Sequence, residues 1–364
     1  MHFLPHTFCG HASNSAQSSL SHPADLFPAL QEEKISSEDF SPASTSLAEK
    51  WMAFKKTGLA CLRLARLHTL MAWAIFPAPA IYTIILYHSG RDLHLPDIEK
   101  VTGCVRLSVD LIDREFDAQV KRSMRRPLPS GDISVDGALL YIIFQTGLTF
   151  ILLQALATQE VFLSFVMSAA IFGIYPYLKR WTHYTQLFGS LLITMGVIQG
   201  WLFCATTYEP IPGYSPGWLH TAAILKRDWA QILPIFLMEF VYELAHELIY
   251  GCQDTEEDIT LRLHSLSILC GYKFSRTLGT FLVSCFCFLL AFCSIKADVL
   301  VWPCVLIPPV LLVRWTYELD LSIPSECGRW AVTAIKVKVL VTLSLLALFV
   351  LKETNMISLL LSCL

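Results

Sequence analysis

The 364 residues are 54% hydrophobic and 16% charged, with a net charge of −3 and a mean hydropathy of +0.52. A soluble chain carries about 25% charged residues and 45–50% apolar ones, and here the apolar residues come in long blocks. This excludes a soluble enzyme, a secreted disulfide scaffold and a nucleic-acid binder, for which no net basic charge is available. A polytopic membrane protein is what remains.

Residues 1–50 are polar, rich in Ser, Pro and Glu, and expected to be a disordered leader. The first basic residue is Lys34, and Asp25, Glu32, Glu33, Glu38 and Asp39 stand where a mitochondrial presequence would carry arginines. His2, His6, Cys9 and His11 have metal-binding chemistry but lie in a segment with nothing to fix their geometry. Of the twelve cysteines, Cys61, Cys104, Cys204, Cys270, Cys285, Cys287, Cys293, Cys304 and Cys363 sit in or beside apolar stretches. They read as small buried hydrophobes.

Apolar segments follow at 58–87, 98–113, 134–157, 161–178, 185–207, 229–251, 268–295, 298–315 and 332–351. The second is weak, preceded by His88, Arg91, Asp92, His94, Asp97, Glu99 and Lys100. Counting it places all the main basic clusters on one face: Lys50, Lys55 and Lys56; Lys121, Arg122, Arg125 and Arg126; Lys179 and Arg180; Arg262, Lys273 and Arg276; Arg329 and Lys336. By the positive-inside rule that face is cytosolic. The expected fold is all-α, about nine transmembrane helices over residues 51–352, with a short tail at 353–364.

Two acidic stripes lie on that face. Asp110, Asp113 and Asp117 recur at i, i+3 and i+7, which share one side of a helix. Glu247, Tyr250, Asp254 and Asp258 form a second stripe at i, i+3, i+7 and i+11. Facing carboxylates repel unless a cation sits between them. Oxygen ligands select Mg2+, which takes one or two carboxylates together with substrate phosphates. Lys121, Arg122, Arg126, Lys179 and Arg180 supply a grip for a diphosphate. Magnesium and basic groups together stabilise a departing diphosphate. Behind them lie Phe, Tyr, Trp and Leu, which suit a hydrocarbon tail and a carbocation. An isoprenoid diphosphate is the substrate so implied. Solvated loop charges and an ion-conducting transporter stand as alternatives, although a transporter's acids belong nearer the bilayer midplane.

The arrangement resembles the UbiA superfamily of intramembrane prenyltransferases over most of residues 60–350. That family's first motif, NDxxDxxxD followed by a basic run ending in RPxxxG, is matched by Asp110, Asp113, Asp117, Arg122, Arg126, Pro127 and Gly131. Its second, DxxYxxQDxxDD, is matched by Tyr250, Gln253, Asp254 and Asp258. Tyr175, Pro176, Lys179 and Arg180, then Gln186, Gly196, Gly200 and Trp201, continue the pattern in order. The resemblance implies nine helices around a central cavity, with Mg2+ and diphosphate held between the two motifs. It assigns Asp110, Asp113, Asp117, Asp254 and Asp258 to catalysis and metal binding, with Glu247 as a further ligand. Lys121, Arg122, Arg126, Lys179 and Arg180 then bind the diphosphate, and Tyr250 and Gln253 orient it.

The departures bear on the product. Val109 replaces the usual Asn, Glu247 and Glu257 replace two Asp, Thr194 stands where Asn is common, and the first span reads Arg66-Leu67-His68-Thr69. Val109 and Thr194 make the site less polar, and Trp201, Phe203, Tyr208, Phe236, Phe240 and Tyr242 offer aromatic faces. These features tilt the expectation toward a terpene cyclase that closes farnesyl diphosphate on itself in specialised-metabolite biosynthesis. Transfer of the prenyl chain to an aromatic or polyketide acceptor is the alternative. The endoplasmic reticulum or another internal membrane is the expected location, with the bilayer and the isoprenoid diphosphate as partners.

Overall fold

The computed structural model describes residues 47–64, 77–89, 126–296 and 302–353. Internal contacts separate Met1–Lys50 from Trp51–Leu364, and the helical bundle belongs to the second unit. Every regular element among the described residues is helical: α1 (Leu47–Leu64), α2 (Pro77–Ser89), α3 (Val135–Leu156), α4 (Gln159–Trp181), α5 (Thr185–Tyr208), α6 (Trp218–Cys252), α7 (Thr255–Thr260), α8 (Leu266–Lys296), α9 (Trp302–Glu318) and α10 (Pro324–Glu353). Ser134 and Thr158 cap α3 and α4, accepting from the backbone N–H of Gly137 and Val161.

Four helical stretches are long and apolar enough to cross a bilayer: Val135–Ala155, Thr185–Tyr208, Leu266–Lys296 and Pro324–Phe349. A shorter apolar helix covers Gln159–Tyr175. The expectation of nine spans is therefore met in part. The weak segment at 98–113 lies outside the described residues. Helix α6 has 35 residues but places Glu239, Glu243 and His246 inside its apolar run. Helix α9 has 17 residues and contains Pro308 and Pro309. Exposed Leu140, Ile143, Phe144 and Ile151 on α3 are the surface expected against lipid, where backbone polar groups must be satisfied within the helix.

Helix α6 packs against α4, α5, α8 and α10, while α2 lies against α5 and α10. The α2–α5 contact rests on small residues. A Cβ on Gly200 would stand 2.8 Å from the Ala80 carbonyl oxygen, and one on Gly196 would stand 3.0 Å from Pro79. Only glycine lets the two backbones come this close, the usual device for helix association in lipid.

The end of α5 and the start of α6 carry a polar network. Trp201 Nε1 donates to Asp228 at 2.8 Å, and Arg227 donates to both Asp228 oxygens at 2.7 and 2.8 Å. Tyr87 donates to Glu209 at 2.8 Å, and His220 meets Glu160 at 2.8 Å. Trp201 and Tyr87 pack edge to face at 4.8 Å. Trp201 was expected to offer its face to a cation. Its indole N–H donates into this network and its ring packs against Tyr87. Tyr242 is likewise engaged, donating to the Ala334 carbonyl.

Candidate functional site

The second acidic stripe begins on the last turns of α6. The spacing predicted one continuous face from Glu247 to Asp258, but α6 ends at Cys252 and Asp254 starts the short α7. The reason is local. Gln253 donates through Nε2 to the Tyr250 carbonyl at 3.0 Å, so a side chain closes the helix. The Asp254 N–H turns back to the Gly251 carbonyl at 3.3 Å. Asp258 thus reaches the site through a turn rather than along a continuous helix.

Asp254 and Asp258 are both buried, at 9% and 4% exposure, where most aspartates are solvated. Lys179 Nζ, from the last turn of α4, lies 3.9 Å from Asp258 Oδ2. The His264 N–H donates to the Lys179 carbonyl at 2.8 Å and the Leu263 N–H to the Asp258 carbonyl at 2.9 Å. These bonds tie the end of α4 to the loop after α7. Arg180 stacks over Tyr177 at 5.6 Å. Tyr250 stacks parallel to His246, with centroids 5.9 Å apart. Gln186, at the start of α5, accepts from the Leu266 N–H at 2.8 Å, joining α5 to the first turn of α8. Lys179, Tyr250, Gln253, Asp254 and Asp258 are therefore brought to one end of the bundle.

Arg126 belongs to a turn in which the Ser130 N–H donates to the Arg126 carbonyl at 2.9 Å. Gly131 closes it with φ +74°, a conformation that excludes most side chains and explains the glycine of RPxxxG. The next residue, Asp132, pairs with Lys56 and Arg63 of α1 at 3.8 and 3.7 Å. Asp110, Asp113, Asp117, Lys121 and Arg122 lie outside the described residues.

Among the described residues no group of three or more His, Cys, Asp or Glu side chains is arranged to hold a metal. Two buried carboxylates beside a lysine fit Mg2+ nonetheless, since that ion completes its shell with phosphate oxygens and water. His183 and His264, edge to face at 4.5 Å beside Lys179 and Asp258, were not anticipated; their separation of 81 positions gives no local signal. Three further residues were missed deeper in the bundle. Glu239 and Glu243 of α6 converge on Lys338 of α10, with Glu239 at 2.5 Å. Charged residues within apolar runs were the available signal.

The fold and this site define an integral membrane protein with several apolar helices and a carboxylate-rich, basic end. A sequence model of the UbiA prenyltransferase family matches residues 103–361, and the chain belongs to that family. It is 27% identical over 208 residues to a 4-hydroxybenzoate octaprenyltransferase of Idiomarina loihiensis, covering 56% of this chain and 63% of the relative. A Vibrio cholerae octaprenyltransferase is 27% identical and 66% covered, so the matches span less than two thirds of these relatives. A polyprenyl transferase of Arthrobotrys oligospora is 27% identical over 281 residues, 72% of this chain and 70% of that one. Among solved structures, an apo UbiA homologue from Aeropyrum pernix K1 superposes with TM-score 0.55 at 18% identity, over 71% of this chain and 96% of that one. A UbiA homologue from Archaeoglobus fulgidus bound to GPP and Mg2+ gives TM-score 0.50 at 16% identity, over 78% and 99%. These two structural likenesses concern the fold.

Proposed function

We propose that this protein is a membrane-embedded, Mg2+-dependent prenyltransferase that ionises an isoprenoid diphosphate and joins its chain to an aromatic or polyketide acceptor. The observation that carries the reading is the convergence of buried Asp254 and Asp258 with Lys179 at one end of α6, in a chain of this family. Similarity to polyprenyl and octaprenyl transferases supports transfer better than the cyclisation to which the sequence departures pointed.

Asp254 and Asp258, with Glu247 and the first-motif Asp110, Asp113 and Asp117, are the groups assigned to hold Mg2+. When bound, the ion neutralises charge on the leaving diphosphate. Lys179, Arg180, Lys121, Arg122 and Arg126 hold the phosphate oxygens through charge-assisted bonds. Gln253 keeps the turn between Tyr250 and Asp254 closed, so both carboxylates stay at one end. The basic end faces the cytosol in an internal membrane such as the endoplasmic reticulum, and the full bundle has nine spans.

A second reading, cyclisation of farnesyl diphosphate, draws on Thr194. Its hydroxyl is buried and donates to the Ser190 carbonyl at 2.6 Å, so the position spends its polarity on its own helix. The two readings separate in one assay. Membranes containing the full chain are incubated with Mg2+ and geranyl, farnesyl or longer prenyl diphosphates, with and without aromatic acceptors, and the extract is resolved by gas and liquid chromatography–mass spectrometry. A prenylated acceptor is the expected product. A cyclic hydrocarbon formed without acceptor replaces transfer by cyclisation, and neither product refutes both.

A further inference from the structure

Well inside the bundle, three helices contribute to one ionic cluster. Lys338 of α10 binds Glu239 and Glu243 of α6, and Tyr82 of α2 donates to the second oxygen of Glu239 at 2.6 Å. All are buried: Glu239 is 0% exposed, Glu243 and Lys338 are 1%, and Tyr82 is 2%. Tyr242 and His246 on α6 line the same side, toward Ala334 and Trp330 of α10. The remaining oxygen of Glu243, Oε2, is buried and has no hydrogen-bond partner among the described residues.

The charge count is the informative part. A buried ion pair that only locks helix register requires one carboxylate for one ammonium. Removing ions from water already costs several kcal/mol each. A second carboxylate, with one oxygen unpartnered among the described residues, adds a further cost that packing does not recover. Such groups inside a membrane domain mark proton or ion chemistry.

Position supplies the next part. Glu243 precedes Glu247 by four residues, one turn or about 6 Å deeper along α6, on the same helical side. It is the first carboxylate inward from the second acidic stripe. On the prenyl-transfer reading the prenyl chain and its acceptor lie inward of the diphosphate, the direction in which Glu243 lies from Glu247 along α6.

The chemistry supplies the last part, and it rests on the prenyl-transfer reading. The allylic C–O bond breaks and its electron pair leaves with the diphosphate. A ring π pair of the acceptor forms the new C–C bond. The ring C–H pair then restores aromaticity, which leaves one proton. In a dry interior that proton needs an acceptor.

We propose that Glu243 is that acceptor: its Oε2 takes the proton released by the prenylated ring, while Lys338, itself anchored on Glu239, holds the carboxylate in place. The proton passes to water between turnovers.

The test uses the full chain in membranes with Mg2+, a prenyl diphosphate and the acceptor turned over by the wild type. Glu243→Gln preserves shape and the contact with Lys338, and the ammonium keeps Glu239 as its counter-charge, so no uncompensated buried charge is left. It should keep the thermal midpoint and the KM for diphosphate, yet lower kcat by about 100-fold or more, the usual scale of general-base loss. Glu243→Asp should recover part of that loss. Infrared difference spectra of the wild type during one turnover should show a protonated-carboxyl stretch that Glu243→Gln lacks. A folded Glu243→Gln variant turning over within threefold of wild type overturns the proposal. If that variant does not fold, the wild-type spectrum decides, and absence of the carboxyl band overturns it. A wild type that releases no pyrophosphate with any acceptor fails earlier, and takes the transfer reading down with the proposal.

Discussion

At the scale of single residues, the site joins two kinds of position. Asp254 and Asp258 are buried carboxylates, and a buried carboxylate is retained where it holds a cation or pairs with one. Lys179 is half-exposed and 3.9 Å from Asp258, too loose and too wet to matter much for stability. The two should respond differently to substitution. Asp254→Asn keeps the shape of the turn but removes the charge, and should lower turnover by at least about 100-fold, with protein levels in the membrane unchanged. Asp113→Ala, in the first motif, should be equally inactive. Wild-type activity in both variants would remove the acidic motifs from the mechanism. Lys179→Ala should leave the thermal midpoint in place and raise the KM for prenyl diphosphate by about 10-fold, the loss of one charge-assisted hydrogen bond. An unchanged KM would show that the lysine serves only its contact with Asp258.

At the scale of helices, α5 shows what a sequence discloses and what it hides. Its apolar length and its Gly196 and Gly200 are plain in the sequence, but the reasons for the glycines are partners 117 and 120 residues away on α2, Pro79 for Gly196 and the Ala80 carbonyl for Gly200. Gly200→Val should push the two backbones apart and destabilise the protein by about 1–3 kcal/mol. Gly147→Ala on α3, where a Cβ meets nothing within 4 Å, should be neutral or raise stability by about 0.5–1 kcal/mol. Thermal scanning of detergent-solubilised variants by size exclusion separates them, and equal midpoints would deny the close α2–α5 approach. Helix α6 was legible as an apolar segment, and its acidic end was legible by spacing. Its break at Gln253 was not, because the stop is made by a side-chain amide turning onto the Tyr250 carbonyl, a choice no periodicity encodes. The ion cluster of Glu239, Glu243 and Lys338 was hidden because its members lie 95 and 99 residues apart on helices that meet only after folding.

At the scale of the whole molecule, the basic positions counted along the chain can be placed on the bundle. Lys179 and Arg180 end α4, Arg262 follows α7, and the bond from the His264 N–H to the Lys179 carbonyl holds those two segments together. Arg329 lies in the first turns of α10, beside Gly328, whose Cβ would meet Gln253 Oε1 at 3.3 Å. Three separate stretches of basic sequence therefore converge on the end that carries Asp254 and Asp258. The loop between α5 and α6, residues 209–217, lies at the other end of both helices, beyond the Trp201–Asp228 network. Lys and Arg bias in short loops orients a membrane protein, so the acidic site should face the cytosol and the 209–217 loop the lumen. An Asn-X-Thr acceptor built around exposed Gly213 should be glycosylated when the full chain is made in a eukaryotic host. The same acceptor built around Thr182–Tyr184, between α4 and α5, should stay unmodified. Glycosylation at 182–184 alone would invert the bundle and put the diphosphate site on the lumenal side, away from a cytosolic supply of prenyl diphosphate. The orientation is therefore a constraint on the substrate as well as on topology.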